Sequence, residues 1–127
     1  MLLYVTVGTN DLAKAGVFYD GVLNELGYVR RETEDNSIGY AHPDDTRCRF
    51  WVTRPYDEKP ASFGNGVTIA LMAESRDAVQ RFHATALARG GLNEGEPGLR
   101  PFHAYFYAAF ARDLDGNKIA AVCEKPE

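Results

Sequence analysis

The sequence predicts an α+β fold built from two βαβββ repeats. Three observations carry that prediction. A pattern of strand, helix cap, aromatic, Leu and terminal Gly recurs at an offset of 64 positions. Each copy pairs one helical apolar stripe with several short β-rich runs. The chain also closes on a strand–turn–strand hairpin around Asp115-Gly116-Asn117, residues that tolerate the positive φ of a short turn.

In the first copy, residues 2–8 alternate and are β-rich, so they form a strand. Asn10 or Asp11 caps a helix. Leu12, Ala15, Phe18, Tyr19, Val22, Leu23 and Leu26 give one stripe at helical spacing, and Gly27 ends it. Residues 28–33 make a second strand, and Glu34-Asp35-Asn36-Ser37 is a polar turn. Residues 38–41 make a third strand, stopped by Pro43, and residues 47–53 a fourth. The stretch after Arg54 is linker-like, rich in Pro and Gly.

In the second copy, residues 67–72 are a strand and Ser75 a helix cap. Val79, Phe82, Ala86 and Leu87 form the stripe, closed by Gly90-Gly91. Superposition sets Tyr4 on Thr68, Asp11 on Ser75, Phe18 on Phe82, Leu23 on Leu87 and Gly27 on Gly91. Such a repeat means two copies of one supersecondary unit. A strand over 92–95, an extra loop over 96–102, and the hairpin strands 105–111 and 118–123 complete the unit. The whole is one domain, with a repeat over 1–54, a linker over 55–65 and a repeat over 66–127.

Composition narrows the function. A net charge of −4 without a Lys/Arg cluster argues against nucleic acid. The N-terminal run has neither the basic segment nor the apolar length of a secretory leader, and no run approaches the roughly 20 residues that span a bilayer. Cys48 and Cys123 lie far apart in sequence and read as small buried hydrophobes in a reduced, cytoplasmic setting.

The stretch Phe110-Ala111-Arg112-Asp113-Leu114-Asp115-Gly116-Asn117-Lys118-Ile119 resembles the closing hairpin of the vicinal oxygen chelate superfamily, which includes glyoxalase I, bleomycin-resistance proteins and extradiol dioxygenases. The resemblance implies two curled mixed sheets around a shared cleft, the glyoxalase/bleomycin resistance/dioxygenase fold, commonly assembled as a homodimer. Metal-binding relatives place His, Glu or His, His, and Glu at positions matching Tyr4, Arg49 or Trp51, Thr68 and Ala120 here. None is an ordinary ligand for a divalent ion, so no metal and no cofactor are expected.

Strand alternation assigns faces. Leu3, Val5 and Val7 should pack on the helix, as should Cys48, Phe50 and Val52, and Ile119 and Ala121. Tyr4, Thr6, Arg49, Trp51, Thr53, Thr68, Ala70, Ala120 and Val122 then face the cleft. In the seventh strand Phe106 and Phe110 are assigned to the helix side, and His103, Tyr105, Tyr107 and Ala109 to the cleft. His83 is expected at the helix surface or its boundary, and His42 in a solvated turn.

Two functions follow. One is a small-molecule binder with Tyr4, Arg49, Trp51, Thr68, Tyr105, Tyr107 and Ala120 around an aromatic or anionic ligand, Arg49 holding the acid group. The other is a glyoxalase-family lyase or dioxygenase-like enzyme using His103 or a tyrosine as acid or base.

Overall fold

The computed structural model describes all 127 residues. Its element order is β1 (Val5–Gly8), α1 (Leu12–Val22), a short 3-10 turn (Asn24–Leu26), β2 (Val29–Thr33), β3 (Ser37–Ala41), β4 (Phe50–Thr53), β5 (Ile69–Met72), α2 (Arg76–Ala88), β6 (Leu92–Leu99), β7 (Tyr107–Arg112) and β8 (Lys118–Cys123). The strands make two four-stranded sheets, ordered β1-β4-β3-β2 and β5-β8-β7-β6. In each sheet the first strand runs parallel to the last of its unit and the other pairs are antiparallel. The two orders map onto each other under the 64-residue offset, so both units are βαβββ.

Local chemistry explains the elements. The Asp11 carboxylate accepts from the Lys14 amide and the Ser75 hydroxyl from the Ala78 amide, each satisfying an otherwise orphaned donor of a first helical turn. Gly27 ends the first helical segment at φ 89°, a conformation that costs a residue with a Cβ. One stripe of each helix packs on its own sheet, and the two stripes meet. Phe18, Tyr19, Val22, Val79, Phe82, Ile119 and Ala121 belong to one core cluster drawn from both units. The halves therefore form a single packed body. Both cysteines are free and buried.

Several expectations are corrected. Residues 96–99 continue β6 instead of forming an extra loop, with Gly98 and Leu99 paired to Ala108 and Tyr107 across a register irregularity. The seventh strand opens at Tyr107, two residues later than expected, and its parity is reversed. Tyr107, Ala109 and Ala111 lie on the core side, while Ala108 and Phe110 take the other face. Small residues face the helix because α2 packs directly on this strand. His83 is buried, with Nε2 2.8 Å from the Asn93 Oδ1. His42 stacks on Tyr28, ring centres 4.2 Å apart, with Nδ1 3.1 Å from the Gly27 carbonyl. No helix is long and apolar enough to cross a membrane.

Candidate functional site

The helix-free faces of the sheets carry two recesses that share Thr6. The larger, about 510 Å³, is walled by Tyr4 and Thr6 at β1 and by Cys48, Trp51 and Thr53 at β4, with Glu32 and Arg47 on its rim. The smaller, about 180 Å³, lies where β1 meets the second unit and is lined by Thr6, Phe63, Val67, Asn117 and Lys118. A third recess of about 620 Å³ lies against the linker, but its only hydrophobic lining residue, Tyr56, is fully exposed. Its other walls are polar and charged side chains and two prolines, Pro55 and Pro60, so it holds no fixed aromatic ring for a ligand to stack on.

Trp51 owes its position to a glycine. Gly39 is its register partner on β3, and a Cβ there would come 2.8 Å from the indole ring and from the Cys48 sulfur. The absent side chain is the space in which the indole lies. Cys48 sits beside the indole on the open face, contrary to the alternation drawn from sequence. It precedes the regular strand, which begins at Phe50, so strand parity does not reach it. Burial pushes its thiol up, with the Glu32 charge adding to the effect. A thiol shifted that way stays protonated at neutral pH and serves as an uncharged wall, not as an activated nucleophile.

Of the expected site residues, the structure brings Tyr4 and Trp51 together in one recess. Arg49 is not there. Its Nε and one terminal nitrogen donate to the two Asp45 carboxylate oxygens at 2.8 and 3.0 Å, and its other terminal nitrogen donates to the Leu3 carbonyl at 3.1 Å. The hydrogen bond from Arg49 holds the Asp45 carboxyl well below the usual carboxylate range, and the same bond raises the Arg49 guanidinium. This guanidinium already has its carboxylate, so the expected anion anchor is occupied from within the chain.

Tyr107 points to α2, where its hydroxyl accepts from the Gln80 amide at 2.9 Å and Arg76 lies 5.1 Å from its ring centre. His103 and Tyr105 are exposed in the loop before β7, with Tyr105 at φ 62° and His103 packed near Phe106. Thr68 is exposed just ahead of β5 and lines neither recess. Ala120 faces away from the core as expected but is fully buried beside its register partner Phe110, so it opens no volume to a ligand.

The residues missed from the sequence are Cys48, Glu32 and Arg47 around the indole, and Phe110, Arg100 and Lys118 on the second sheet. Lys118 was legible: it is two residues before Ala120 on one strand and so shares its face. Phe110 was hidden by the reversed parity of β7, and Arg100 fell within the loop expected over 96–102.

A phenol, a guanidinium or indole, a hydroxyl and a methyl group stand at Tyr4, Arg49 or Trp51, Thr68 and Ala120. No group of three or more His, Cys, Asp or Glu side chains converges anywhere in the chain. This donor set does not fit a divalent ion held as in metal-binding relatives.

The family model described as Glyoxalase/Bleomycin resistance protein/Dioxygenase superfamily matches residues 1–121. The chain belongs to that superfamily. A crystal structure of a glyoxalase/bleomycin resistance protein from Albidiferax ferrireducens is 36% identical, with 96% of this chain and 97% of that chain covered and a TM-score of 0.85. A glyoxalase-related enzyme from Fulvimarina pelagi shares the fold at 16% identity, covering 97% and 87% of the two chains with a TM-score of 0.74. A glyoxalase/bleomycin resistance protein/dioxygenase family enzyme from Burkholderia phytofirmans does so at 18% identity, covering 96% and 97% with a TM-score of 0.72. No curated protein sequence matches the chain. Within this superfamily member, the helix-free faces that carry the recesses are the faces expected to line the shared cleft.

Proposed function

We propose that this protein binds a small aromatic molecule against Trp51 in a cleft that uses no metal. The observation that carries the reading is the recess of about 510 Å³ in which Tyr4, Trp51 and the uncharged Cys48 supply apolar wall and Thr6 and Thr53 supply hydroxyls. An open site with aromatic walls and a few polar groups is the usual form of a small-molecule pocket. A flat ring covers the indole face, gaining the removal of apolar area from water and the offset or edge contact that aromatic pairs prefer. The relative from Albidiferax ferrireducens is named a glyoxalase/bleomycin resistance protein, a name that covers binding and catalysis alike, so the reading rests on the recess.

Trp51 is the only tryptophan in the chain, so tryptophan emission, excited selectively over the seven tyrosines, reads this recess alone. Titration with a panel of aromatic acids, amides and amines should give a saturable change in Trp51 emission for at least one class. Calorimetry on Trp51→Ala should show that binding weakened by about 1.5–3 kcal/mol. If no compound of the panel perturbs Trp51, or if Trp51→Ala binds as the parent does, the reading is wrong.

A further inference from the structure

We propose that Arg100 and Lys118 form an anion-binding subsite around Phe110, and that the ligand of the cleft carries an acidic group, a carboxylate or a phosphate, which docks there. The second half of this proposal rests on the reading of the Trp51 recess; the subsite itself does not.

Phe110 lies on the middle strand of β6-β7-β8, on the face turned away from the core. Arg100 follows the end of β6 on one side of it, and Lys118 opens β8 on the other. The Arg100 guanidinium carbon is 5.5 Å from the Phe110 ring centre and the Lys118 Nζ is 5.3 Å from it. Two cations are thus gathered at one ring on a chain whose net charge is −4.

Like seven other cations of this protein they lack a carboxylate partner, and they are set apart by sharing one aromatic ring. Arg30, Arg49, Arg81, Arg112 and Lys125 each lie within ion-pair distance of a carboxylate. Arg100 and Lys118 do not. Arg100 donates to the Gly98 carbonyl at 2.8 Å and to the Glu96 carbonyl at 2.7 Å. Those bonds hold the guanidinium in place without neutralising it, a preorganised fork for an oxyanion. Lys118 makes no hydrogen bond to any protein acceptor, so its ammonium keeps its donors free beside the ring. Both side chains are only half-exposed.

Thr6 connects this subsite to the first. It is the register partner of Trp51 and lines the recess that contains Lys118. A ring seated on Trp51 with an acid group directed past Thr6 therefore meets Lys118 first and Arg100 beyond Phe110. The chemical class is a flat aromatic acid or aryl phosphate.

The test uses the full chain and three probes read by calorimetry: 2-naphthoate, 2-naphthyl phosphate and the neutral 2-naphthamide. Inorganic phosphate alone is the fourth arm. One or both anionic probes should bind about tenfold or more tighter than the amide, the expected worth of a hydrogen bond between charged groups. Lys118→Gln and Arg100→Gln should each erase most of that preference and leave the amide unchanged, and Lys118→Arg should retain it. The favoured anion tells carboxylate from phosphate. Equal binding of all three probes that Lys118→Gln does not alter overturns the subsite while leaving the Trp51 reading standing. Phosphate or naphthoate binding that is lost in Lys118→Gln but unaffected by Trp51→Ala keeps the subsite and overturns the Trp51 reading. No binding in any arm, inorganic phosphate included, overturns both.

Discussion

The Tyr19 hydroxyl donates to the Asp113 carboxylate across 2.5 Å, joining the first helix to the hairpin turn of the second unit. Both residues are buried. The same carboxylate accepts from the backbone amides of Asp115 and Asn117 and from the Asn117 side chain, whose amide also reaches the Gly8 carbonyl of β1. One carboxylate thereby shapes the turn and fixes the seam between the two sheets along which Thr6 and Lys118 meet. Tyr19→Phe removes a donor to a buried charged acceptor and should cost about 1–3 kcal/mol in urea unfolding. Asp113→Ala, which orphans several donors at once, should cost more. A Tyr19→Phe midpoint equal to that of the parent would show that this hydrogen bond does not hold the seam.

The same phenol predicts an alkaline limit to stability. Burial, and next the charge of Asp113, hold Tyr19 well above its ordinary value of 10.0. Burial and the hydrogen bond to Asp20 move Tyr40 in the same direction. A phenol whose folded pKa is raised keeps its proton in the native state while the unfolded chain loses it. The stabilisation is therefore complete below about pH 10 and falls as pH climbs above it. Urea midpoints taken at about pH 8 and about pH 11 should decline, and the decline should be shallower in Tyr19→Phe. A parent midpoint that is flat across that range contradicts the assignment.

Arg49 is expected to be a bystander to binding. Because Asp45 and the Leu3 carbonyl hold its guanidinium, Arg49→Ala should leave the affinity for 2-naphthoate unchanged within about twofold, in contrast to Lys118→Gln. A tenfold loss in Arg49→Ala would return the anion anchor to the first sheet.

Gly39→Ala tests how the recess is made. The new methyl would lie 2.8 Å from the indole and the Cys48 sulfur, so the ring must move or the strand must shift. Overpacking of this kind costs about 1–3 kcal/mol. Trp51 emission should change in the free protein, and aromatic probes should bind more weakly. Unaltered emission and affinity would mean that the indole has other room.

We expect a homodimer. The outer strands β2 and β6 each leave one edge unpaired, and Val29, Leu92 and Leu99 on them are exposed. Open edges of that kind are ordinarily covered. Sedimentation should show a single species of twice 14.1 kDa, and a monomer at every concentration would refute it.

Periodicity and the internal repeat were enough to determine the two βαβββ units and the run of β8, because a helix stripe repeats every 3.6 residues and a strand every 2 whatever surrounds them. Residue type named Ser75 as the second helix cap and left Asn10 or Asp11 for the first, which the structure gives to Asp11. Strand periodicity placed Tyr4, Thr6 and Trp51 on the open face, and the family resemblance supplied the four metal-binding positions, at which this sequence has no ordinary metal donor. Tertiary structure decided the rest. In Tyr107-Ala108-Ala109-Phe110-Ala111 both faces are apolar, so hydrophobicity names no inner side. The close approach of α2 selected the face with the alanines and turned Phe110 outward. Cys48 and Arg49 precede the regular strand, where alternation has no force, and the Asp45 carboxylate claimed the guanidinium. Phe110 gathers Arg100 and Lys118, 18 residues apart in the chain, only because β6 and β8 flank β7. That pairing is set by register between strands, which periodicity within one strand does not contain.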